Sequence, residues 1–282
     1  HLHHNDIAGN RITNNSFCNV GTSGTVFLFY NFYNYNSVRT LNRFEDNRLD
    51  SNVSAGNIYC AYLFYCGSLR VLRNSLTNNK GGATTGFFYG FTFYYGGNLW
   101  VNSNLIANNY GYFSNYNYYS YNFSSGSTCD IRQNTVHTRP SSYQYHFCYG
   151  YLFQETNSQI RFVGNILDAD ANYYIYPVYL VANTATNVLE INFNSILMTG
   201  SGTQIWRAGT TNYTNYGGWK GDVLVGSLEN YTNPQWVDFA KMDMRSNSFE
   251  TQNNKPTNST YKLDQKRNSR NLNRSDRGAL EN

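Results

Sequence analysis

Apolar and polar positions along this chain repeat with a long, fixed period. An asparagine recurs three residues after one apolar residue and two before another. The sets are Ile7-Asn10-Ile12, Phe44-Asn47-Leu49, Val71-Asn74-Leu76, Val101-Asn104-Ile106, Ile131-Asn134-Val136, Phe162-Asn165-Leu167 and Ile191-Asn194-Ile196. Their first members lie 37, 27, 30, 30, 31 and 29 residues apart. Such a period marks one structural unit stacked on itself.

Ahead of each asparagine the apolar residues alternate with polar ones, which is strand periodicity. The first inward slot holds Leu69, Leu99, Cys129, Ile160 and Leu189 in five repeats, with Asn5 and Asn42 in the other two. Carrying that alternation through the asparagine would turn the next apolar residue to the wrong face, so the chain must bend there. Asparagine suits a bend because it tolerates the left-handed region and hydrogen-bonds locally. Stacked about 4.8 Å apart, successive amides can also bond along the column. A polar residue after the second strand (Asn15, Asn52, Asn79, Asn109, Arg139, Asp170 and Thr199) marks the next corner. The predicted fold is all-β: a parallel β-helix, or solenoid, of about seven or more coils over residues 1–200. Residues 201–282 leave the register and are expected to form the last coil or coils and an irregular C-terminal cap.

An asparagine at a sharp bend between two short strands resembles the asparagine ladder of right-handed parallel β-helices of the pectate-lyase-like superfamily. Near the C-terminus, Asn233-Pro234-Gln235-Trp236-Val237-Asp238, Asp243-Met244-Arg245 and Ser275-Asp276-Arg277-Gly278-Ala279-Leu280-Glu281 resemble the closing segment of bacterial surface β-helix proteins. That resemblance implies a cap protecting the strand edges of the last coil.

Stacking also aligns outward residues. Asp6, Arg43, Arg70, Trp100, Asp130, Arg161 and Glu190 precede the first member of each set. The last three should form a charge ladder of modest energy. Between one asparagine set and the next run aromatic strands such as Ile58-Tyr59-Cys60-Ala61-Tyr62-Leu63-Phe64-Tyr65 and Tyr143-Gln144-Tyr145-His146-Phe147-Cys148-Tyr149. Half of such side chains face outward. Tyr59, Tyr62, Tyr89, Tyr94, Tyr118, Tyr145 and Tyr174 are the expected members of an aromatic face too large for an ordinary monomer surface.

Composition agrees with a rigid β surface. Of the 282 residues 43 are Asn and 27 are Tyr, while only 13% are charged. The net charge of +4 is concentrated in a basic C-terminal stretch, read as a solvated terminal segment, and no nucleic-acid partner is expected. Five cysteines at irregular spacing argue against a disulfide framework or zinc site, and Cys129 reads as a small buried hydrophobe. No apolar run is long enough for a membrane helix. The chain has no initiating Met and enters a repeat within a few residues, which suggests a piece of a longer precursor.

Catalytic chemistry is sparse. A polysaccharide lyase needs a strong base beside carboxylates, and the candidates are Asp168 and Asp170 with Arg139 and Arg161 in neighbouring coils. The paired-Asp, Gly-His-Gly and Arg-Ile-Lys motifs of a polygalacturonase-like hydrolase do not occur. His137 and His146 lack a partner nearby in sequence and read as surface or corner residues. No cofactor or metal site is expected. The reading is therefore a non-enzymatic, extracellular or cell-surface structural protein whose Tyr/Phe face mediates homo-oligomer or filament assembly. Alternatives are a glycan-binding adhesin or tailspike-like module, and a polysaccharide lyase or glycoside hydrolase. Assembly predicts aromatic residues buried between copies, recognition an open Tyr strip, and catalysis converging carboxylates and Arg.

Overall fold

The computed structural model describes residues 11–34 and 41–215, apart from short stretches within them, together with Gly218, 236–238 and 243–246. The fold is a parallel β-solenoid whose strands stack into three long sheets. The first sheet has seven strands: Arg11–Thr13, Leu41–Glu45, Ser68–Leu72, Leu99–Asn102, Thr128–Arg132, Gln159–Val163 and Val188–Asn192. The second follows each of these across the asparagine corner, for example Ser75–Thr77, Leu105–Gly111 and Ile166–Asp170. The third contains the aromatic strands Val26–Asn34, Ile58–Cys66, Phe87–Gly96, Ser114–Tyr121, Phe147–Gln154 and Tyr174–Leu180. Complete turns number about five, running from Leu41 to Leu180, with a partial turn at either end. The expectation of seven or more counted both ends as whole.

Each turn sends its apolar residues inward. Phe44, Val71, Val101, Ile131, Phe162 and Ile191 line one wall, and Leu49, Leu76, Ile106, Val136, Leu167 and Ile196 line the next. All are 3% exposed or less, so one continuous core runs the length of the stack.

The asparagine column closes through its side chains. The Nδ2 atoms of Asn47, Asn74, Asn104, Asn134 and Asn165 each donate to Oδ1 of the next asparagine at 2.9–3.0 Å, ending on Asn194. Each Oδ1 also accepts the backbone N–H of the preceding asparagine, at 2.9–3.0 Å. The second Nδ2 hydrogen reaches back to a carbonyl of the preceding coil, as from Asn104 to Val71 at 3.0 Å. Every polar group of the buried amide is thereby satisfied.

The left-handed residue of the bend is the one before the asparagine. Asp46, Arg73, Ser103 and Gln133 have φ of 52–58°, and Gly164 has φ 68°. Backbone turning and side-chain bonding are thus divided between two adjacent positions. A shorter column at the second corner joins Asn52, Asn79 and Asn109 at 2.8 and 2.9 Å. Its left-handed residues are Ser51, Asn78 and Asn108; the next coil has no counterpart of Asn108, so Thr138 pairs with Asn109 where Arg139 was expected. The Thr138 hydroxyl accepts the Asp170 N–H at 2.9 Å in place of an amide.

Register corrects the first repeat. Ile12 pairs with Phe44 and Phe17 with Leu49, so Ile12 and Phe17 hold the apolar positions of the first set and Arg11 stands over Arg43. Asn10 and Asp6, assigned to those columns from the sequence, lie outside the described residues. Ile7-Asn10-Ile12 also uses Ile12, and only strand pairing shows which position that residue holds. Val188, not Leu189, pairs with Ile160, because a register shift turns Leu189 out to 44% exposure.

At the C-terminal end the third sheet extends past residue 200. Trp206–Ala208 pairs in parallel with Tyr179 and Leu180, and Thr211–Tyr213 then turns back antiparallel. A short antiparallel strand of this kind blunts an edge. Trp236–Asp238 and Asp243–Ser246, from the expected cap, form an antiparallel pair, while the stretch 275–281 lies outside the described residues.

Candidate interaction face

The aromatic strands share a kink that fixes which rings face out. Ile58, Phe88, Asn115, Cys148 and Ile175 point inward, and the next residue points outward. Strict alternation would return inward at Cys60, Gly90, Asn117, Gly150 and Pro177 and again two residues later. Instead these five positions drop out of the strand pairing, and Ala61, Phe91, Tyr118, Tyr151 and Val178 are the inward ones. The kink leaves no room between coils. A Cβ on Gly90 would lie 2.4 Å from the Asn117 carbonyl oxygen, and one on Gly150 would lie 2.6 Å from that of Pro177.

Just before the kink the outward residue is aromatic at every level: Phe27, Tyr59, Tyr89, Tyr116, Tyr149 and Tyr176. Their centroids are 4.5, 4.3, 4.8, 4.6 and 4.8 Å apart in order, with planes within 11° of parallel. Carbon atoms in contact sit about 3.5–4.0 Å apart, so these rings are offset-stacked, the favoured parallel geometry. The column runs along the solenoid axis, its tyrosines partly exposed, while ring faces are taken up by neighbours.

Flanking positions broaden the face. Tyr30, Tyr62, Tyr119 and Tyr179 stand on the far side of the kink, with Thr92 and Leu152 between them in register. Phe64, Tyr94 and Tyr121 form a third line. The Arg207 guanidinium lies 4.7 Å from the centre of the Tyr179 ring. Burial, and then the neighbouring phenols, raise the Tyr62 hydroxyl to about 12. Burial likewise raises Tyr89, Tyr116, Tyr149 and Tyr176 above the ordinary phenol value. The face is therefore uncharged well past neutral pH.

Of the tyrosines assigned to this face from the sequence, Tyr59 and Tyr89 lie in the central column, and Tyr62 and Tyr94 lie in the flanking lines. Tyr174 is half-buried against Phe147 and Tyr173, and Tyr145 is 47% exposed ahead of its strand. Tyr118 is a correction: the kink at Asn117 turns it into the core, 1% exposed. Phe27, Tyr116, Tyr149 and Tyr176 were missed. An available signal was the recurring Tyr followed by Cys60, Gly90, Asn117, Gly150 or Pro177.

The candidate acid–base residues separate. Asp168 and Asp170 share the outward side of one strand, and His137 Nδ1 lies 3.0 Å from Asp168 Oδ2. His137 thus has the acid partner that its sequence neighbourhood lacked, supplied by the adjacent coil. Burial raises the Asp170 carboxyl, Asp168 raises it further, and His137 opposes both. Arg161 stands on the first sheet between Asp130 at 4.0 Å and Glu190 at 3.4 Å, as the charge-ladder register requires. Asp130 is held more tightly by Arg132, at 2.5 Å. No ion pair among the described residues joins Arg139 or Arg161 to Asp168 or Asp170.

His146, read as a surface or corner residue, lies at the turn just ahead of the strand Phe147–Gln154; it is fully buried there, and burial lowers its imidazole to about 4. Cys60, Cys129 and Cys148 are free and buried, and burial pushes the Cys148 thiol up to about 12, which makes it a poor nucleophile. No helix among the described residues is long and apolar enough to cross a membrane, and no cluster of three metal-ligating residues occurs among them. No protein-family model matches this chain, and neither the curated proteins nor the solved structures include a match to it.

Proposed function

We propose that this chain is a non-enzymatic, extracellular structural protein of the right-handed, pectate-lyase-like kind, associating with copies of itself through its aromatic face. The observation that supports this reading is the continuous column from Phe27 to Tyr176. An uncharged ridge of stacked rings, repeating once per coil, matches the same ridge on a second copy. Two such faces can interdigitate at about 10 Å, the usual distance between packed sheets. Lateral packing into a filament or surface layer is the assembly this favours. Extracellular placement rests on the resemblance of the Trp236 and Asp243 segments to those of bacterial surface proteins.

Glycan recognition is the second reading. Sugars stack on open ring faces, and the column has few to offer. Tyr145 and Tyr173, 47% and 37% exposed, are the rings that favour it. Catalysis would have to use Asp168, Asp170 and His137.

Sedimentation velocity and electron microscopy of the full chain distinguish these readings. Regular particles or filaments that dissociate in a Tyr149→Lys variant are the expected result. A monodisperse monomer at all concentrations, unchanged by that substitution, would overturn the assembly reading. Cleavage of a uronic-acid polymer, lost in Asp168→Ala, would replace it with an enzyme.

A further inference from the structure

The tyrosine column has a chemical consequence that needs only one copy of the chain. Parallel rings in the same orientation bring equivalent atoms together. In addition, the phenol hydroxyls of Tyr59 and Tyr89 lie within reach of each other, as do those of Tyr116 and Tyr149. These pairs also have the two shortest Tyr–Tyr centroid distances in the column, 4.3 and 4.6 Å, with planes 4° and 5° from parallel. When the hydroxyls of two parallel rings are adjacent, the carbons ortho to them are adjacent too. Those are the carbons at which a phenoxyl radical carries its unpaired spin.

We propose that the aromatic column is a site of oxidative tyrosine coupling, in which Tyr59 is joined to Tyr89 and Tyr116 to Tyr149. The co-reactant is a peroxide whose two oxidising equivalents are delivered one electron at a time by a peroxidase. Each phenol gives up one electron and its hydroxyl proton, leaving a phenoxyl radical. The two radicals form a carbon–carbon bond between ortho positions. Each of those carbons then loses its hydrogen as a proton while an oxygen regains one, and both rings return to phenols. Two electrons and two protons have left the pair, and they reduce the peroxide to two waters.

Each ring couples once, so five consecutive tyrosines yield two couples and leave Tyr176 over. The bonds staple the coil of Tyr59 to that of Tyr89, and the coil of Tyr116 to that of Tyr149. Outward placement makes the chemistry accessible: all four rings are partly exposed, whereas Tyr118 and Tyr151 on the other side of the kink are enclosed in the core. No nearby side chain need act as a base, since all four residues are partly exposed and water can take up the protons. This inference is independent of whether the chain assembles.

The test is one-electron oxidation of the dilute full chain, with a peroxidase and hydrogen peroxide or with a ruthenium photo-oxidant and persulfate. Linked peptides are then mapped by mass spectrometry. Expected products are intrachain Tyr59–Tyr89 and Tyr116–Tyr149 links, with a rise in Tm. Tyr89→Phe keeps the stacking ring but cannot form a phenoxyl radical. It should unfold at nearly the parent temperature, lose the first link and keep the second. Links confined to Tyr145, Tyr173 and Tyr174 would overturn the proposal. So would links undiminished in Tyr89→Phe, or coupling of Tyr149 to Tyr176 in place of Tyr116.

Discussion

The asparagine corner and the aromatic face are both columns with one residue per coil, and they obey opposite rules. At the corner each amide donates to the next and accepts from the one before. Such bonding is directional and needs the same residue at every level. On the face the rings touch by offset stacking, which depends on shape and area. Phe27 therefore serves where tyrosine stands elsewhere, and Thr92 and Leu152 interrupt the flanking line without ending it. Polar bookkeeping differs as well. The corner leaves no amide unsatisfied, whereas beneath the face the His146 ring and the Tyr151 hydroxyl are buried without a hydrogen-bond partner among the described residues. Directional bonding secures the scaffold, and tolerant stacking leaves the exposed wall free to vary.

The largest expected effect comes from breaking the corner. Asn104→Ala removes the bonds to Asn134 Oδ1 and the Val71 carbonyl and leaves two Asn74 donors facing a methyl group. Chemical denaturation should show a loss of about 3–5 kcal/mol, since each stranded buried group costs about 1–3 kcal/mol. Tyr116→Phe, a comparable change on the face, should cost less than about 1 kcal/mol. Equal losses would erase the distinction between the two columns.

The unsatisfied interior predicts acid sensitivity. His146 titrates at about 4 in the fold, below its ordinary value near 6.5. The unfolded chain therefore takes up its proton first. This contribution is fully present above pH 6.5 and is lost as pH falls toward about 4, amounting to about 3 kcal/mol. Denaturation curves across that window should be steep for the parent chain and shallower for His146→Leu. A slope that survives the substitution would place the acid sensitivity elsewhere.

The corner was legible in the sequence because a directional column cannot vary: Asn47 through Asn194 announce themselves by identity and spacing. The face was legible only as composition. Its inward and outward positions depend on the kink at Cys60, Gly90, Asn117, Gly150 and Pro177, five different residues doing one geometric task. Counting by twos through that kink puts Tyr118 outside together with Tyr116, and only the coil register separates the two. The first set was misplaced for a related reason, since Ile7-Asn10-Ile12 fits the spacing and only pairing of Ile12 with Phe44 shows that Ile12 is the first member. The Asp168–His137 contact joins residues 31 positions apart and needed the coil register as well.

A charge placed in the column should sharpen the contrast between stability and association. Tyr149→Lys removes a ring stacked at 4.6 Å on Tyr116 and 4.8 Å on Tyr176 and puts an ammonium in an uncharged ridge. Self-association measured by sedimentation should weaken by about tenfold or more, about 1.4 kcal/mol, as expected for a residue central to an interface. Tyr149→Phe should leave it nearly unchanged. If both variants associate like the parent chain, the ridge is not the contact.

The smallest effect is expected on the first sheet, where the column of outward residues is ionic. Arg161 bridges Asp130 and Glu190 in register, yet its side chain is 35% exposed and Glu190's is 40% exposed. Water screens both contacts, and Arg132 holds Asp130 at 2.5 Å whether or not Arg161 is present. Exposed pairs of this kind contribute about 0–1 kcal/mol. Arg161→Ala should therefore change the denaturation midpoint only slightly, and by less still in high salt. A loss approaching that of Asn104→Ala would mean that the outward columns share the scaffold's work, and the division between corner and wall would fail.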